Sequence, residues 1–93
     1  MRRTLLPTAA FIRAARKLTK RNAAIGERLQ AAIELLAEDA CHPTLKTHKL
    51  QGDLAGTWAA SAGYDLRILF DFVPHDGAEA ILLISVGTHD AVY

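Results

Sequence analysis

The 93 residues, 51% of them apolar and 23% charged, are enough for one folded domain over 1–93 with one modest core, and they exclude a disordered chain. Net charge is only +1, and the single cysteine, Cys41, excludes an internal disulfide and fits a reducing compartment. Two arginines after Met1 resemble the start of a signal peptide, but Thr4, Pro7, Thr8 and Arg13 interrupt any apolar run, and no stretch reaches the ~20 apolar residues of a membrane span. The expectation is a cytoplasmic protein with no membrane partner.

In chain order, Arg2 to Leu6 is read as a short strand, and Pro7 with Thr8 as a helix start. Phe11, Ile12, Ala15 and Leu18 then share one helical face. Arg13, Arg16, Lys17 and Lys20 share another, which makes the outer face basic. Charge is indeed unevenly spread: residues 1–21 hold seven of the eleven basic residues and no acid. That stripe is either an ordinary solvated face or a surface for a polyanion.

Asn22 suits the N-cap of a second helix with an apolar stripe of Ile25, Leu29, Ala32, Ile33 and Leu36. Pro43 should end it near Asp39 to His42, and so short a link between the two helices implies an antiparallel hairpin. From there the period changes to two. Thr57 to Ala62, Leu66 to Phe72 and Ala80 to Val86 read as three antiparallel strands, the last two joined by a turn at Pro74-His75-Asp76-Gly77. The fold class is α+β, an N-terminal strand and a helix hairpin packed on a mainly antiparallel sheet.

No phosphate-binding glycine loop, CxxC pair or nucleophile elbow occurs, and the histidines lack zinc-ligand spacing, so neither a metal nor a cofactor is expected. His42 and His75 read as solvated side chains. The chemistry gathers elsewhere: His48 before the sheet, Asp65 and Arg67 at the head of its middle strand, and His89 and Tyr93 after its last. Antiparallel pairing should bring the head of the middle strand beside the exit of the last. Two histidines, a residue type whose unperturbed pKa of ~6.5 lies near the working pH, and one arginine can cleave RNA without metal. One group takes the 2′-hydroxyl proton, another protonates the departing 5′-oxygen, and Arg67 stabilises the phosphoryl oxygens. Tyr93 can stack on a base or donate a hydrogen bond. Each residue also has a plainer use: Arg67 pairing with Asp65 or Asp71, His48 capping a loop, Tyr93 sealing the core.

The segments HKLQGDLAGTW, GYDLRILFDF and ILLISVGTHDAVY, in this order and spacing, resemble the RelE/ParE toxin superfamily, and within it the YafQ-like mRNA interferases. The resemblance covers Leu45 to Tyr93 and implies a RelE-like fold. It further implies a ribosome-dependent endoribonuclease of a type II toxin–antitoxin system, with mRNA and rRNA as nucleic-acid partners and a cognate antitoxin in a hetero-oligomer. By the same resemblance His48, Asp65, His89 and Tyr93 match active-site positions, and Arg67 matches an arginine of the wider RelE-like group. Lys46 and Lys49, which flank His48, join the basic stripe as expected RNA contacts. One position departs: Ser61 stands where the YafQ-like branch has a further histidine. A ParE-like gyrase inhibitor and a catalytically weakened antitoxin-binding relic are the alternative functions.

Overall fold

The structure, a computed structural model, describes residues 2–52, 56–63 and 65–88. Strand β1 (Leu5–Pro7) leads into helix α1 (Ala9–Arg21) and helix α2 (Ala23–Glu38). After a 3-10 turn at Pro43–Leu45 come β2 (His48–Lys49), β3 (Trp58–Ser61), β4 (Leu66–His75) and β5 (Ala78–Thr88). They form a five-stranded sheet of order β1-β5-β4-β3-β2, in which only β1 and β5 run parallel. The fold is α+β, as the periodicities predict. None of the described helices is long and apolar enough to cross a membrane.

The helix hairpin turns on Asn22. Its N–H closes α1 on the Leu18 carbonyl, while its side chain accepts from the Ala24 N–H to open α2. The two helices touch at Gly26, where an added Cβ would lie 2.8 Å from the Thr19 methyl group. Phe11, Leu29, Ala32 and Leu36 pack on Leu66, Ile68, Phe70, Ile81, Leu83 and Val86 of the sheet. Ile12 departs from the expected apolar face: it is 38% exposed, because Phe11 alone of the pair points at the sheet.

The strands also depart from their expected bounds. Strand β1 begins at Leu5, not Arg2, and β4 and β5 run longer than predicted, to a two-residue turn at Asp76 and Gly77. Both turn residues have positive φ, 51° and 77°, as the tight hairpin twist requires. Pro74 therefore lies inside β4, opposite Glu79. Counting from the His75–Ala78 pair that closes the turn, this is a non-hydrogen-bonded pair, so the missing proline N–H leaves no gap in the ladder.

Between Leu69 and Phe70 the register shifts: Leu69 faces Ser85, but Phe70 faces Leu83. Ile84 is thus an extra residue, a β-bulge in β5. Its carbonyl accepts from the Thr8 hydroxyl at 3.0 Å, and the same Thr8 oxygen caps α1 by accepting from the Phe11 N–H at 3.1 Å. One side chain thereby fixes both the bulge and the start of the helix. Thr8→Ala removes the cap and strands the bulge carbonyl, with an expected loss of about 2 kcal/mol in urea unfolding. Thr8→Ser should recover most of it, and equal stability of the Ala and Ser variants would show that neither bond matters.

Candidate functional site

The helices cover one face of the sheet, and pleating sends alternate residues to the other. Leu66, Ile68 and Phe70 belong to the helix-side core, so Arg67 and Leu69 lie on the helix-free face. Cross-strand pairing extends that face in two rows. One runs through Ser61, Arg67 and Gly87, the other through His48, Ala59, Leu69 and Ser85. His48 and Arg67 are thus on one face, one row and two strands apart. Ordinary sheet spacings put their Cα atoms about 12 Å from each other.

Arg67 is half-buried, with small neighbours on both sides in its row, Ser61 and Gly87. Its Nη1 donates to the Leu66 carbonyl at 2.9 Å and to the Ser61 hydroxyl at 3.3 Å. Among the described residues it makes no salt bridge; the two carboxylates considered as partners are engaged or placed differently. Asp71 accepts from the Phe72 N–H at 2.8 Å, and Asp65 is an exposed residue immediately before β4.

His48 is exposed on β2, a strand of its own rather than a lead-in to the sheet. Its Nδ1 lies 2.9 Å from the Lys46 carbonyl. A carbonyl can only accept, so Nδ1 carries the proton and the neutral ring keeps its lone pair on Nε2. Lys46 reaches this position with φ 49°, a left-handed conformation for a residue that has a Cβ. The predicted approach of the strand head to the β5 exit is found as far as the description reaches, with Leu66 opposite Thr88 and Arg67 opposite Gly87. His89 and Tyr93 lie outside the described residues.

The expected RNA contacts divide between locations. Arg13, Arg16, Lys17 and Lys20 are all exposed on α1, and among the described residues none of the four is in an ion pair. That helix packs on the other face of the sheet, so the stripe is on the far side from Arg67. Lys46 and Lys49 are near His48; Lys49 holds its ammonium 5.9 Å from the centre of the Trp58 ring. Sequence reasoning missed two neighbours, Ser61 as a partner of Arg67 and Arg28. The Arg28 guanidinium sits so close over the turn after β3 that a Cβ on Gly63 would be 3.1 Å from it. The clue to Ser61 was its place opposite Arg67 in a hairpin; for Arg28 the sequence held no signal.

Solved structures with this architecture include a YafQ mutant from E. coli, at a TM-score of 0.77 and 19% identity over 98% of both chains. The YoeB/ParE toxin from Agrobacterium tumefaciens gives 0.76 at 17% identity, covering 92% of this chain and 98% of that one. The E. coli DinJ-YafQ toxin-antitoxin complex gives 0.74 at 20% identity, covering 100% of this chain and 99% of its counterpart. No protein-family model matches the sequence, and no curated protein sequence does. At these identities the likeness establishes the fold, the RelE-like architecture expected from the strand motifs.

The His48 geometry has a direct check. Long-range proton–nitrogen NMR on the neutral ring should show the Nδ1–H tautomer, the minor form of a free histidine side chain. A dominant Nε2–H form would mean that the Lys46 carbonyl does not hold the ring in solution.

Proposed function

We propose that this chain is the toxin of a toxin–antitoxin pair and cleaves mRNA on the ribosome by metal-independent acid–base catalysis. The observation that supports this most is the pairing of Arg67 with Gly87 on the face that carries His48. It brings a cation to the strand end that His89 follows in sequence, with His48 on the same face two strands away. A toxin–antitoxin complex of the same fold supports a protein antitoxin as partner.

In this reading a ribose 2′-hydroxyl attacks the adjacent phosphorus while a histidine removes its proton, and the bond to the 5′-oxygen breaks as a second group protonates it. The products are a 2′,3′-cyclic phosphate and a free 5′-hydroxyl, and no water or metal enters the step. In this reading His48, whose Nδ1 is directed at the Lys46 carbonyl, takes the base role. His89 supplies the other proton role. Arg67 faces the phosphoryl oxygens with the Nε and Nη2 edge of its guanidinium, the fork that matches two oxygens of one phosphate. Asp65 orients a histidine or the ribose, and Tyr93 stacks on a base. Lys46, Lys49 and the α1 stripe hold rRNA and mRNA phosphates outside the reacting group.

The test is single-turnover cleavage of mRNA on a programmed ribosome. His48→Ala and His89→Ala should each lower the rate by ~10²–10⁴-fold, the range for losing a positioned proton-transfer group. The double variant should fall far less than the product of the two, because groups acting as a unit are non-additive. His48 is exposed, so its loss should leave stability within ~0.5 kcal/mol. Cleavage by a folded His89→Ala protein within threefold of wild type would remove that histidine from the mechanism.

Reversal of the stripe, with Arg13, Arg16, Lys17 and Lys20 all changed to Glu, should weaken ribosome co-sedimentation and flatten its salt dependence. Binding that is unchanged across a salt series would make the stripe a solvated face. Wild-type protein that leaves ribosome-bound mRNA intact would overturn the nuclease reading altogether.

A further inference from the structure

We propose that Ser61 is a positioning residue for Arg67, and that its hydroxyl takes no part in proton transfer. The inference concerns the same site and, for its catalytic consequence, rests on the reading above. A serine hydroxyl has one proton and two lone pairs. The Ser61 proton goes to the Gly63 carbonyl at 2.8 Å, which leaves the oxygen as an acceptor only. It accepts from Arg67 Nη1 at 3.3 Å, across the Ser61–Arg67 pair of the β3–β4 ladder. The Leu66 carbonyl takes the same nitrogen at 2.9 Å, so Nη1 has an acceptor for each of its two protons.

The anchor is itself held in place. Gly63 presents its carbonyl from a turn with φ +117°, a conformation that residues with a Cβ rarely adopt. The guanidinium of Arg28 lies against the same turn. The sequence of contacts therefore runs from the turn to Ser61 and from Ser61 to Arg67. A guanidinium pinned at Nη1 has one side-on fork left, Nε with Nη2, and that fork binds a phosphate through two parallel hydrogen bonds. Fixing it beforehand removes rotational freedom that the transition state would otherwise have to overcome. Ser61 thus contributes through Arg67 rather than through a proton of its own.

Ser61→Thr and Ser61→Val make a matched pair, since both are β-branched residues suited to a strand and differ only in hydroxyl against methyl. In the full-length chain, NMR of the Arg67 guanidinium should show hindered rotation of its Nη1 group in wild type and in the Thr variant. The Val variant, which keeps only the Leu66 carbonyl as an Nη1 partner, should show faster rotation than either. On programmed ribosomes, Ser61→Val should lower the maximal cleavage rate about fivefold, the equivalent of one ordinary hydrogen bond. Half-saturation and the pH profile should not move, and Thr should restore the rate. Ser61→Ala serves as the smaller replacement should Val misfold, with thermal melts as control.

Guanidinium dynamics that are the same in wild type and the Val variant would overturn the anchor. A shifted pH profile, or full activity in a Val variant with a faster-rotating Arg67, would overturn the positioning role. Absence of cleavage by wild type would strike the nuclease reading alone, because the NMR comparison decides the anchor without any activity.

Discussion

The extra residue in β5 is the constraint on which both faces of the sheet depend. A strand sends alternate side chains to opposite faces, so one inserted residue exchanges the faces for everything beyond it. In β5 the core positions are Ile81, Leu83 and Val86, spaced by two and then by three. Without Ile84 as a bulge, either Val86 or the pair Ile81 and Leu83 would face away from the helices. Hydrophobic burial would then compete between two registers, and the slipped register would turn the row of Gly87 inward. The Thr8 hydroxyl resolves this locally, since it satisfies the bulged carbonyl and starts α1 with the same atom. The first helix and the last strand thus share this contact, beside the β1–β5 pairing and the Thr8 N–H to Leu83 carbonyl bond, and the row containing Arg67 follows from the register they fix.

Much of this architecture was legible because it rests on local rules. Thr8 and Asn22 are good N-caps wherever they fall, and an apolar stripe such as Ile25, Leu29, Ala32 and Leu36 admits one face only. The helix-free placement of Arg67 likewise needs nothing beyond strand alternation. The unread features depend on distant partners. The bulge is hidden in ILLISV, an almost unbroken apolar run with no period to interrupt, and only pairing with β4 reveals the inserted residue. Ile12 satisfies the helical period and yet is exposed, because the position of the sheet under α1 decides which flank of the stripe is covered. Lys46 in the left-handed region follows from closure of a 3-10 turn, which carries no glycine to announce it. Of the candidate site, the shared face of His48 and Arg67 follows from strand alternation and pairing, whereas Arg28, which reaches the turn after β3 through the packing of α2, left no trace in the sequence.

The two basic regions cannot act as one surface. The outer side of α1 is separated from the helix-free face by the sheet and by the helix itself, whose diameter with side chains is ~10–12 Å. Charges that far apart are more than one screening length from each other at physiological salt, where that length is ~8 Å. The stripe therefore adds little to the potential at Arg67. A large polyanion can still meet both regions, since its own phosphates span such distances. On the proposed reading the stripe holds the ribosome and the helix-free face receives the strand to be cut, and the small net charge of the chain reflects neither.

The serine opposite Arg67 bears on how few groups such a reaction needs. Transesterification at a ribose requires one proton removed and one delivered, so two titratable groups suffice if the phosphate is held in line. A third histidine on β3 would compete for the place that the Ser61 hydroxyl fills, between the Gly63 carbonyl and Arg67 Nη1. On the proposed reading, serine there divides charge from proton roles: the arginine is fixed by neutral acceptors, and the proton roles fall to His48 and His89. No carboxylate among the described residues forms a salt bridge with Arg67. A neutral anchor restrains a cation without lowering its attraction for phosphate, whereas Ser61→Asp would offset the charge and could not donate to the Gly63 carbonyl. On the proposed reading, that distinction makes a serine at this place compatible with an active site, provided the arginine it holds is the group that meets the phosphate.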